Sequence, residues 1–186
     1  MARQRGSWYF EGYQSEIQLD DKGREKRVLV YRGEWYGLGL EPTAYRRCKL
    51  TFLGLTVLLT ALYLLINFFP SEGGMTSWVG APCLLVLVPL IFLWIGLVNF
   101  LPAKEKWELR VFYAGYRRMY RWTIVTMVLL VVTAAAELVF LVSAAQAPLA
   151  ELPYLLGLAA CLLCATGILL LIRRHPAEVV QGPEVR

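Results

Sequence analysis

Four long apolar runs divide this chain, and its charged stretches lie between and outside them. The runs cover 50–69, 79–101, 122–145 and 152–172. Pro70 stops the first, Pro102 stops the second, and Arg173 and Arg174 close the fourth. Each run has about 20 residues or more, enough to cross roughly 30 Å of hydrocarbon at about 1.5 Å per residue. An unpaired backbone group in hydrocarbon is costly, so each run is expected to be helical.

The polar segment before the first run has a different period. Glu16 to Leu19 alternates polar and apolar, Asp20-Asp21-Lys22-Gly23 is a turn signal, and Arg27 to Tyr31 is apolar and β-branched. Arg32-Gly33-Glu34 is a second tight turn, followed by Trp35 to Leu40. The pattern predicts a three-stranded antiparallel meander, which would be marginal without something to pack against. Glu41-Pro42-Thr43 then suits a helix start, with proline near the first turn. The expected fold is an all-α membrane protein: a four-helix transmembrane bundle with a small cytoplasmic antiparallel β meander. Residues 1–44 would form the β element, 45–174 the transmembrane domain with an internal loop at 103–121, and 175–186 a tail.

Charge changes this picture by giving it a direction. The chain has 186 residues, with 19 Lys+Arg against 14 Asp+Glu, 58% hydrophobic residues and a mean hydropathy of +0.51. The connections 70–77 and 146–151 contain no Lys or Arg, so all 19 lie in the N-terminal segment, the middle loop or the tail. Four alternating helices put those three regions on one side, and the positive-inside rule makes that side the cytoplasm. The expectation is a multi-pass protein of the cell membrane with both termini cytoplasmic. Trp78 and Tyr154 fall at the outer interface and Tyr120 and Trp122 at the inner one, a depth that amphipathic rings favour. Residues 1–49 lack the apolar core of a signal peptide, so the first span is expected to direct insertion.

The middle loop carries Lys104, Lys106, Arg110, Arg117, Arg118 and Arg121, interleaved with Trp107, Val111, Tyr113, Tyr116 and Tyr120. Tyr113, Tyr116 and Tyr120 are spaced for one helical face. These residues read as a juxtamembrane helix on anionic lipid headgroups. Nucleic acid is disfavoured as a partner, because topology already accounts for the same basic residues.

Glu137 lies well inside the third run, where a charge costs on the order of 3 kcal/mol. It must face protein or water, or carry a proton. Thr123, Thr126, Thr133 and Glu137 share a helical face, and the first run has a matching stripe of Thr56, Thr60, Tyr63 and Asn67. By helix rise, Glu137 and Tyr63 both lie about 20 Å from the inner end. The expected intramembrane polar site is therefore Glu137 and Thr133 with Tyr63, Asn67 and Thr60. It reads first as an interhelical tie and second as a proton or cation site, since no second membrane acid accompanies Glu137. In the fourth run, Gly157, Cys161, Cys164 and Gly167 form a small-residue stripe for close helix packing. A redox role for Cys161-Leu-Leu-Cys164 would need relay cysteines in the outer connections, which contain none.

Catalytic chemistry is sparse. His175 is the one histidine, Asp20 and Asp21 are the only aspartates, and no phosphate-binding loop, nucleophile elbow or zinc-binding motif occurs. No metal or cofactor is expected. The composition points to a non-enzymatic accessory, scaffold or sensor-like subunit that assembles with itself or with another membrane protein. The alternative is a small proton- or cation-coupled transporter or channel built on Glu137.

Overall fold

The computed structural model describes residues 12–19, 25–68, 71–143 and 148–182. The turn expected at Asp20–Gly23 lies outside these residues. Four helices are long and apolar enough to cross a membrane: Pro42–Ile66, Ser77–Phe100, Leu109–Ser143 and Leu149–Arg174. Together with an outward surface rich in exposed Leu, Ile and Val, they suggest a membrane-embedded protein.

The first helix, α1 (Pro42–Ile66), begins where proline at its first turn and Glu41 at the cap position predict. Gly39, at φ +61°, bends the chain into it, a conformation that glycine adopts without a steric penalty. A four-residue helix α2 (Glu72–Met75) follows, capped by the Ser71 hydroxyl, which accepts from the Gly74 N–H at 2.8 Å. The second apolar run is two helices, α3 (Ser77–Leu85) and α4 (Leu87–Phe100). Pro89 cannot donate to the carbonyl four residues earlier, and the ladder breaks at Val86.

The third span starts earlier than hydropathy alone indicates. A single turn α5 (Leu109–Val111), a π-helical turn (Phe112–Tyr116) and α6 (Arg117–Ser143) form one continuous rod. Most of the basic middle loop is therefore helix. Tyr116 and Tyr120 line one cavity with Ile172, whereas Tyr113 lines another with Phe92 and Trp122; Tyr116 is buried and donates to the Ile172 carbonyl at 2.9 Å. The last helix, α7 (Pro148–Arg174), begins four residues before the apolar run. In the bundle α1 packs chiefly on α7, α7 on α6, and α6 on α3 and α4. Phe52, Leu59, Leu93, Leu97, Leu130, Leu158 and Ile168 fill the interior.

The β element differs from a meander. Strands β1 (Tyr13–Leu19) and β2 (Glu25–Tyr31) form the expected hairpin, with Tyr13 opposite Tyr31. The third strand, β3 (Trp35–Gly37), does not pair with β2. It pairs antiparallel with β4 (Glu178–Val180), from the C-terminal tail, with Trp35 opposite Val180. Tyr36 also exchanges two backbone hydrogen bonds with Trp107, at 2.8 and 2.7 Å. The support that a small sheet needs thus comes from the tail and the middle segment.

An aromatic cluster holds this end of the bundle together. The Trp107 indole is buried against Phe100 and Tyr116, and donates to the Tyr45 hydroxyl at 2.8 Å and the Lys104 carbonyl at 2.6 Å. The hairpin joins the same framework: Tyr13 donates to the Glu108 carboxylate, and the Leu109 N–H donates to the Tyr31 hydroxyl at 3.1 Å. Burial, reinforced by the neighbouring Glu108 charge, pushes the Tyr13 hydroxyl up to about 12, so it stays a donor across the physiological range.

Candidate functional site

The polar side chains expected between the first and third spans have mostly local partners. Thr123, Thr126 and Thr133 each donate to the carbonyl four residues earlier in α6, at 2.8 Å. Asn67 Nδ2 donates to the Tyr63 carbonyl at 2.7 Å, within its own segment. Tyr63 donates to the Cys83 carbonyl at 2.9 Å, tying α1 to α3 beside the break at Val86. Thr60 accepts from the Trp94 indole at 2.9 Å, tying α1 to α4. The pairing of Glu137 with Tyr63 or Asn67 is not formed. The reason is topological: α1 lies against α7, and α6 packs against α7, α3 and α4.

Glu137 meets a different group. It is fully buried, and its carboxyl faces that of Glu151 within hydrogen-bonding reach. Glu151 is 1% exposed. Sequence reasoning placed it in an outer connection because it precedes the apolar run. The helix begins at Pro148, so Glu151 enters the first turn of α7 and turns inward. Pro148 four residues ahead of the apolar run is the signal that could have revealed this.

The segment 71–75 closes over the pair. Glu151 Oε1 accepts from the Glu72 N–H at 2.8 Å, and the Ser71 hydroxyl and Gly73 amide sit beside the same carboxylate. Gly73 is buried directly against Glu137. A Cβ built on Gly73 would lie 2.9 Å from Glu137 Cδ and Oε1 and closer still to Oε2. Among the described residues, neither Glu137 oxygen meets a donor, nor does Glu151 Oε2. Three buried carboxylate oxygens without donors are unusual, because a buried unsatisfied polar group costs about 1–3 kcal/mol and more when charged. Tyr154, one turn further along α7, is buried next to the pair. A cleft of about 170 Å³ adjoins it, lined by Asn67, Ser71, Gly74, Cys83 and Tyr154 among others.

The small-residue stripe of α7 faces α1. A Cβ on Gly157 would overlap the Ile66 side chain, and one on Gly167 would stand 3.5 Å from Leu55. Cys161 and Cys164 are buried between them as thiols. The basic residues separate into two groups. Lys104 and Lys106 flank a cavity with Trp35 and Tyr45, whereas Arg117, Arg118 and Arg121 line another with Tyr113 and Trp122. Arg110 is exposed. His175 accepts a hydrogen bond from Tyr116 through its backbone carbonyl. Among the described residues no group of three or more His, Cys, Asp or Glu is placed to hold a metal ion. No family model matches this chain, and neither does any curated protein or solved structure.

Proposed function

We propose that the chain is a non-enzymatic, multi-pass membrane protein of sensor or accessory type whose responsive element is the Glu137–Glu151 pair. Its basic end, carrying both termini, faces the cytoplasm, and the pair lies toward the outer face. The protein acts through assembly with itself or with another membrane protein. The observation that carries the reading is the burial of two facing carboxyls with three oxygens lacking donors.

One shared proton pairs two of the three oxygens. Protonated Glu137 donates to Glu151 Oε2 and satisfies both atoms, while Glu151 Oε1 keeps its bond to the Glu72 N–H. Removing that proton leaves two buried negative charges in contact. At a separation of about 4 Å and an effective dielectric near 20, the repulsion is about 4 kcal/mol. Neither outer connection contains Lys or Arg to offset it. The facing groups are the Tyr154 hydroxyl on α7, the Ser71 hydroxyl, and backbone amides of α2; the Glu72 side chain points outward and is exposed. The cleft lined by Ser71 and Tyr154 offers a route for the proton from the outer side.

The connection to the basic end also supports a sensor. α7 runs from Glu151 to Arg174 without interruption and leads into β4, which pairs with β3. Tyr116 grips the end of α7 at the Ile172 and His175 carbonyls. A shift of α7 at its outer end would therefore load the small sheet. Transport through a single chain is less favoured, because Thr133, Leu130, Thr126 and Thr123 are fully buried along α6 below Glu137. That interior is packed rather than open.

Hydrogen exchange in lipid nanodiscs tests the coupling. Raising the pH through release of the shared proton should, after correction for intrinsic exchange, deprotect the 178–180 backbone. Glu137→Gln, which keeps a donor but cannot ionise, should abolish that pH response. Unchanged pH dependence in the Gln variant would refute the reading.

A further inference from the structure

The basic end holds a concavity that the sheet and the aromatic cluster do not use. It lies between α4 and the rod formed by α5, the π-helical turn and α6, with a volume of about 570 Å³. Phe92, Tyr113 and Trp122 line it together with Arg117, Arg118 and Arg121. The rings of Phe92 and Trp122 stack at 4.4 Å, 12° from parallel, and form its apolar side. The Arg117 guanidinium lies 4.8 Å from the centre of the Tyr113 ring.

Three arginines at positions 117, 118 and 121 stand on neighbouring faces of one helix, where like charges repel. Among the described residues Arg118 and Arg121 form no ion pair. A concentrated positive field with no internal counter-charge calls for an anion. Guanidinium groups suit the oxygens of a phosphate in particular. What lies next to the pocket indicates what the phosphate belongs to. Val88 and Ile91 of α4 and Val125 and Val128 of α6, on the side of the Phe92–Trp122 pair away from the basic end, are exposed. An anionic pocket ligand would therefore continue onto a strip of bare hydrocarbon.

We propose that this pocket binds one anionic phospholipid, its phosphate held by Arg117, Arg118 and Arg121 and one acyl chain laid along α4 and α6. This is narrower than general attraction of basic residues to a charged surface. It fixes a stoichiometry, a set of arginines and a chain-binding groove. It depends on membrane insertion but not on the carboxyl pair, so the two can fail separately.

The test is native mass spectrometry of the full chain in neutral detergent, titrated with phosphatidylglycerol, phosphatidylcholine or chain-free glycerol phosphate. One phosphatidylglycerol should bind and survive activation that strips phosphatidylcholine, and glycerol phosphate should not bind at the same concentration. Arg118→Gln/Arg121→Gln should weaken phosphatidylglycerol binding roughly 30-fold, and Lys104→Gln/Lys106→Gln should leave it nearly unchanged. If the double arginine variant does not purify as a single species, Arg121→Gln alone, at an exposed position, should lose roughly fivefold. Equal loss in the lysine control would reduce the effect to surface charge, and equal retention of phosphatidylcholine would reduce it to apolar annular contact. Equal binding of glycerol phosphate would make it a free-phosphate site. Any of these results, or full binding by the arginine variants, overturns the proposal.

Discussion

Gly73→Ala is the sharpest perturbation that the geometry allows at the end of the bundle that holds Glu137 and Glu151. The added methyl would lie 2.9 Å from Glu137 Cδ and Oε1, and nearer to Oε2. Ordinary carbon contacts begin near 3.5 Å, so the overlap is roughly half an ångström or more against a fully buried group. Glu137 cannot retreat freely, because it is fully buried and already in contact with Glu151. Overpacking of this kind costs about 1–3 kcal/mol. Pushing α2 away would also break the bond from the Glu72 N–H to Glu151, worth about 1.5–3 kcal/mol as a charge-assisted bond. A total near 2–4 kcal/mol is expected where the two costs overlap. Thermal unfolding in detergent, followed by tryptophan fluorescence, reads it out. Gly54→Ala is the control: nothing lies within 4 Å of its Cβ, so it should be neutral or stabilise by up to about 1 kcal/mol. Glu137→Ala should relieve much of the Gly73→Ala penalty, because it removes the colliding carboxyl. A Gly73→Ala protein as stable as the Gly54→Ala control, or no relief in the double variant, would refute the packing of this site.

Tyr116→Phe should cost about 1–3 kcal/mol, because it strands the buried Ile172 carbonyl and the half-buried His175 carbonyl, and it should raise amide exchange at 178–180. Unaltered exchange there would disconnect α7 from the sheet. Cys161→Ala/Cys164→Ala should fold and assemble with only modest loss of stability, since the thiols serve as small packing groups against α1; a trapped mixed disulfide at either position would contradict this. Cysteines introduced at 71–77 should react with a membrane-impermeant reagent from outside intact cells, and cysteines at 104–106 should not. Outside labelling at 104–106 would reverse the orientation. Wild-type stability should fall as pH rises through the shared proton's release, because its loss leaves two buried negative charges in contact. A flat profile, or a rise, would argue against the shared proton.

Much of the helical framework is legible in the sequence, because a hydrophobic run has few alternatives to a helix. The proline start of α1 and the small-residue face of α7 also follow from local rules. What escaped depends on distant or end-of-element detail. β4 is only three residues long and lies 141 or more residues from β3, so no local pattern announces the pairing. The π-helical turn adds a residue to the helical period, and it sets Tyr113 apart from Tyr116 and Tyr120, which still line one cavity. Glu151 was hidden because hydropathy marks where a chain becomes apolar, not where its helix begins. Placing Glu137 opposite the first span assumed that spans one and three touch, whereas packing order is a tertiary property.

Infrared difference spectroscopy of the carboxyl stretch tests the central claim most directly. Spectra of the folded protein, reconstituted in anionic lipid, would be compared across a pH titration for wild type, Glu137→Gln and Glu151→Gln. The account predicts a protonated-carboxyl band in the wild type that disappears as pH rises and is missing in Glu137→Gln. A folded wild-type protein with no such band at neutral pH, or a band that persists unchanged in Glu137→Gln, would contradict it.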